Sequence, residues 1–195
     1  MNIETNNGIG TSTKRLEDER FLRGQGSYID DIHLPNMMHA AILLSPYAHA
    51  KITKINSLRA LKMPGVVDVF TFADLQSVTT IPIRLNPYGS LEPFLQFPLA
   101  NDRVRYVGDP VALIIAHNRY QAEDALEHIV VHYDPLPTNI DMSKTVNAPL
   151  YDQSTNNIAS NFIMQKGDID KAFATAEHIT KLQFSLGRHS GVPLE

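Results

Sequence analysis

Histidines and carboxylates are the residues of this 195-residue chain whose types suit chemistry, and their spacing decides what chemistry is open to them. There are eight histidines and no cysteine. A cysteine nucleophile, a disulfide and a cysteine-ligated iron–sulfur cluster are therefore excluded within the sequence. His128 and His132 stand four apart, the interval that sets two metal ligands on one helix face. The valines between them and the Tyr133-Asp134-Pro135 that follows point to a strand instead, and no third ligand is near. His189 lies beside Arg188 in the last few residues. Asp30-Asp31 and Glu17-Asp18-Glu19 are carboxylate groups, but neighbours on an extended chain face opposite ways, so the first pair is not a shared site. Both groups read as solvated loop acids. Asp109 sits before Pro110, where turn initiation is its simplest task. Gly24 and Gly26 follow a candidate helix and precede a candidate strand, the reverse of a dinucleotide-binding turn. No Walker A loop, Gly-x-Ser-x-Gly elbow or His-Glu-x-x-His pattern occurs. The reading assigns no catalytic, cofactor-binding or metal-binding residue.

The elements that would carry such residues can be read from periodicity. Arg15–Phe21 suits a helical turn stopped by Gly24-Gln25-Gly26. Tyr28–Ile32 reads as extended, with a turn at Pro35-Asn36. His39–Ser45 is a short apolar run that suits a buried strand ended by Pro46, and Lys51–Ile55 is a second strand. Ser57 is placed to cap a helical segment over residues 57–63. Pro64-Gly65 ends it, Val66–Phe70 returns as a strand, and Thr71–Leu75 forms one more turn. Residues 76–98 hold four prolines and little pattern, which suits a loop packed on a partner or an irregular surface.

The stretch from Arg103 to Pro137 is the most ordered in pattern: strand, tight turn, buried strand, helix, strand. Val111–Ala116 is apolar on both faces and belongs in a sheet covered on both sides. Asn118 and Gln121 have capping-box spacing, and Ala122, Ala125, Leu126 and Ile129 form a core-facing stripe. Ile129–Tyr133 turns into a strand closed by Pro135 and Pro137. Residues 138–165 are polar and turn-rich, including Asn147–Pro149, and read as a surface linker. Asp168 can cap a helix whose Ile169, Ala172, Phe173 and Ala176 share a face. Thr180–Leu186 alternates, placing Leu182, Phe184 and Leu186 on one side of a strand.

A hydrophobic content of 43%, a charged content of 19% and a net charge of −4 describe an ordinary globular protein. No basic stripe points to nucleic acid. The N-terminus lacks the apolar core of a secretory signal, and no run approaches the ~20 residues of a membrane helix. A cytoplasmic protein is the expectation.

Residues 14–52, KRLEDERFLRGQGSYIDDIHLPNMMHAAILLSPYAHAKI, resemble the opening of the large, molybdopterin-binding subunits of molybdenum hydroxylases: aerobic carbon monoxide dehydrogenases, aldehyde oxidases and xanthine dehydrogenases. The likeness continues through MPGVVDVFTFADL, FPLANDRVRYVGDPVALIIA, DALEHIVVHYDPLP and KGDIDKAFATAEHITKLQFSLGRHSGVPLE. It departs at Asp109, where the family usually has Glu. The resemblance implies an α/β (α+β) hammerhead domain, a mixed sheet packed with helices, over residues 14–137. A flexible arm would precede it (residues 1–13), a linker would follow (138–165), and residues 166–195 would begin the molybdopterin-binding domain. It implies an oxidoreductase whose molybdenum–molybdopterin is held by the remainder of the large subunit, with FAD and iron–sulfur clusters in partner subunits or domains. This portion alone would be structural and inactive. The alternative is an independent adaptor domain that kept the hammerhead. An enzyme acting unaided is the weakest reading, since no catalytic set is found. An unpaired segment 166–195 would also favour homo-oligomerisation by strand addition, or disorder.

Overall fold

The computed structural model describes residues 10, 12, 14–83, 91–141, 149–154, 156–187 and 191. The expected arm over residues 1–13, the Asn147–Pro149 turn, the middle of the 76–98 loop and His189 therefore lie wholly or largely outside the described residues. The chain divides into two compact units, Met38–Thr180 and a second formed by Met1–Met37 with Lys181–Glu195.

Among the described residues the larger unit holds six strands: β1 (His39–Leu44), β2 (Ala50–Asn56), β3 (Val66–Thr71), β4 (Arg103–Val104), β5 (Pro110–Ala116) and β6 (Val130–Pro135). They form two antiparallel three-stranded sheets, ordered β1-β5-β3 and β4-β2-β6. The arrangement is thus two antiparallel sheets where the resemblance implied a mixed one. β5 lies at the centre of its sheet, and its Val111, Ala112, Ile114 and Ala116 are buried, as a strand apolar on both faces requires. Pro110 stands at its first position, where the missing N–H costs no ladder bond.

A helix, Arg119–Leu126, covers this sheet; it is the second in the chain, after a short helix in the smaller unit. Asn118 caps it, its side chain accepting from the Gln121 N–H at 2.9 Å. The helix meets the sheet through Ala122 and Ala125, whose small side chains let the backbones approach closely. A first core contains these alanines with Ala41, Val69, Ile114 and Ile129. A second contains Ala50, Ala100, Val104 and Val111, and Ile55 and Val131 pack against both. These two residues join the sheets into one body.

Three local expectations change. β1 is an edge strand, so only Ala41 is fully buried while Ile42 and Leu44 are about half exposed. Over residues 57–63 only a single 3-10 turn forms, Ala60–Lys62, and Asn56 rather than Ser57 caps the segment by accepting from the Leu58 N–H. Gln121 does not complete a capping box; its side chain lies over Gly65, whose φ of +83° sets the turn before β3. After Asp168, which accepts from the Lys171 N–H at 2.9 Å, comes α3 (Ile169–Thr175), the chain's third helix, with Ile169 and Phe173 exposed.

In the smaller unit, α1 (Asp18–Leu22) ends in a Schellman motif: Gly24 at φ +66° donates to the Phe21 carbonyl and Gln25 to that of Arg20. Residues 29–31 form a 3-10 turn rather than an extended segment, because the Asp31 carboxylate accepts from the Tyr28 N–H at 3.0 Å. Phe21 stacks on Tyr28. Residues 181–186 pair with no strand among the described residues, and Leu182, Phe184 and Leu186 are about four-fifths exposed.

Candidate functional site

The polar groups of the larger unit gather where β4 and β5 meet the chain after residue 148. Tyr106–Asp109 form the tight turn between those strands: Asp109 donates its N–H to the Tyr106 carbonyl at 3.2 Å, and Gly108 takes φ +92°. Asp109 therefore closes the turn rather than initiating one. Its carboxylate is buried and accepts from the Arg105 N–H at 2.9 Å, with Tyr106 close by. Burial pushes this carboxyl above the usual aspartate range, against the opposing pull of the Arg105 N–H, the Arg105 charge and Tyr106. Tyr106 is raised in turn by its own burial and by the charge of Asp109.

Two arginines of this segment reach across to residues 150–152. Arg103 forks onto Asp152 at 3.1 and 3.2 Å and touches Asp102 at 3.3 Å. The Arg105 Nε donates to the Leu150 carbonyl at 2.9 Å, and its guanidinium lies 4.5 Å from the centre of the Tyr151 ring. Tyr151 accepts from the Gln96 side-chain amide at 2.9 Å and meets Phe94 edge-on. Residues 149–154, expected to run loosely over the surface, are thus tied down. The signal was available in part: the arginines alternate with apolar Val104, which marks one face of a strand. Their acidic and aromatic partners lie some fifty residues on, beyond the reach of local pattern.

These groups line a cleft of about 300 Å3, bounded by Gln96, Phe97, Asn101, Arg105, Asp109 and Tyr151 among others. It can bind through hydrogen bonds and charge, but it holds no nucleophile beside a base. His128 follows the helix end while His132 lies on β6, so they share no helical face. Asp30 and Asp31 share one 3-10 turn in the other unit. His49, unremarked in the sequence, is buried; its Nδ1 lies 2.7 Å from the Pro137 carbonyl and therefore carries the proton. This bond fixes where the chain leaves β6. Among the described residues no three of His, Cys, Asp and Glu assemble as metal ligands. Nor is any helix among them long and apolar enough to cross a membrane.

Two small antiparallel sheets joined by shared core residues, with one alanine-faced helix, define an α/β hammerhead fold. Residues 23–137 match the family model described as "Aldehyde oxidase and xanthine dehydrogenase, a/b hammerhead domain", and the chain belongs to that family. It is 36% identical over 194 residues to the nicotine 6-hydroxylase large subunit of Paenarthrobacter nicotinovorans, covering 98% of this chain and 24% of that one. Among solved structures, quinoline 2-oxidoreductase from Pseudomonas putida 86 superposes with a TM-score of 0.73 at 34% identity, over 87% of this chain and 22% of that chain. A Cu,Mo-CO dehydrogenase matches with a TM-score of 0.57 at 36% identity, over 68% of this chain and 16% of that chain. The chain spans a quarter or less of the length of the curated relatives it matches, from 25% of the carbon monoxide dehydrogenase large chain of Afipia carboxidovorans to 12% of the xanthine dehydrogenase of Emericella nidulans.

Proposed function

We propose that this chain is the hammerhead-bearing portion of the large, molybdopterin-binding subunit of a molybdenum-dependent hydroxylase or dehydrogenase. Its role is structural, and it does not catalyse alone. One observation carries the reading: identity of 36% runs along 98% of this chain yet occupies only 24% of a large-subunit relative. We place the hammerhead at residues 14–137, a linker at 138–165 and the start of the molybdopterin-binding domain at 166–195. The molybdenum cofactor, when bound in the complete subunit, supplies oxidation of a carbon centre with oxygen taken from water. The partners in this reading are the remainder of the subunit and the flavin and iron–sulfur subunits or domains.

Purified alone, the chain should contain no stoichiometric molybdenum by elemental analysis. It should turn over neither carbon monoxide, nicotine nor quinoline with an artificial electron acceptor. One molybdenum per chain, or turnover of any of the three, overturns the proposal.

A further inference from the structure

The cleft beneath residues 150–152 holds hydrogen-bond donors with no partner among the described residues. Arg105 uses Nε on the Leu150 carbonyl, and its two terminal nitrogens bond to no group among the described residues. Tyr151 accepts from Gln96 and stacks against Arg105, leaving its own O–H without an acceptor among those residues. Two of the carboxylates that line the cleft are already engaged. Both oxygens of Asp152 bind Arg103, and Asp109 accepts from the Arg105 N–H. A guanidinium held at Nε and stacked on a ring is pre-organised, because the side-chain entropy of a free arginine is already lost. The volume of about 300 Å3 lies at the small end of ligand sites.

The geometry points to a binding site for a small organic monocarboxylate, clasped by the Arg105 fork and the Tyr151 hydroxyl. A carboxylate offers the planar pair of acceptors that the fork matches. Asp102, Asp109 and Asp152 outnumber Arg103 and Arg105 in the same cleft, so a dianion such as phosphate is repelled more strongly than a single negative charge. The inference stands on the cleft alone and is independent of the subunit reading.

The test is titration of the 15N-labelled full chain at pH 7 and constant ionic strength, following backbone amides and the Arg105 Nε–H. Benzoate should give saturable shifts at Arg105, Gln96 and Tyr151, and its neutral isostere benzamide should give none. Tyr151→Phe keeps the ring stack and loses only the hydroxyl, so it should weaken benzoate severalfold. Arg105→Lys keeps the charge but not the fork and should weaken it roughly tenfold, the loss of one charge-assisted hydrogen bond. An unchanged amide pattern along β5 certifies the fold of each variant. Equal response to benzamide, binding of inorganic phosphate as tight as benzoate, or full benzoate affinity in both variants overturns the site. So does response to acetyl-Gly-Glu-Gly-amide with none to benzoate, which would give the cleft to a neighbouring polypeptide.

Discussion

Replacing Asp109 separates what its hydrogen bonds contribute from what its charge costs. The carboxylate is buried and accepts the Arg105 N–H at 2.9 Å. Asp109→Ala leaves a half-buried N–H without an acceptor and should destabilise by about 1–3 kcal/mol. Asp109→Asn keeps an acceptor for that N–H while the buried charge is gone. At pH 7 the Asn variant should equal or exceed the wild type.

The pH dependence fixes the sign. Burial raises the carboxyl in the folded protein, so the native state binds the proton more tightly than the unfolded chain does. Stability from this group is fully present below the unfolded value, ~3.9, and is lost as pH rises through the raised native value. The Asn variant lacks this slope, so its advantage over wild type should grow from pH 3.5 upward and then level off. Urea denaturation followed by circular dichroism measures it, with tyrosine emission as a second probe in a chain without tryptophan. An Asn variant as weak as Ala at pH 7, or an advantage that shrinks with rising pH, would refute the reasoning.

Ile114 is fully buried on the central strand β5, and Ile114→Ala should cost about 2–5 kcal/mol by thermal or urea denaturation. Gly65→Ala should destabilise twice over, because φ is +83° and the new methyl would collide with the Gln121 side chain. Adding Gln121→Ala should relieve the collision but leave the backbone strain of about 1 kcal/mol or more, as a double-mutant cycle would show. Asp152→Asn removes one side of the fork from Arg103, and since Asp152 is largely exposed the global cost should stay within ~1 kcal/mol. Its effect should appear as faster amide exchange at Ser154, whose N–H bonds the Tyr151 carbonyl, with β5 unchanged.

The parts of the fold legible in the sequence were those set by short-range physics. The stripe Ala122, Ala125, Leu126, Ile129 reports its burial through helical spacing alone, and Val111–Ala116 reports its central position through unbroken apolarity. Asp168 and Asn118 announce helix starts because a cap acts three residues away. What stayed hidden depends on distant partners. β1 reads as buried from composition, yet its outer face is open because only β5 pairs with it. The turn at residues 29–31 rests on one carboxylate bond that competes with extension. Of the cleft, Asp109 was visible only as a turn residue. The clasp of Arg103 and Arg105 on Leu150, Tyr151 and Asp152 spans a sequence gap that no periodicity crosses.

The interleaved strand order has a consequence for how the chain is made. β2 cannot complete its sheet until β6 exists: Ala50 pairs with Pro135 and Asn56 with Val130, roughly eighty residues later. β1 likewise waits for β5, with His39 opposite Ala116. At ~5–20 residues per second, a ribosome leaves the first strands unpaired for about 4–16 s. Through that interval Ile42, Leu43, Leu44, Ile52 and Ile55 are apolar and uncovered, which makes the nascent chain a substrate for holding chaperones. A break in the coding sequence between β1 and β5 would strand both sheets at once, a break between β5 and β6 would strand only the β4-β2-β6 sheet, and a break after Pro137 leaves every described strand pair intact.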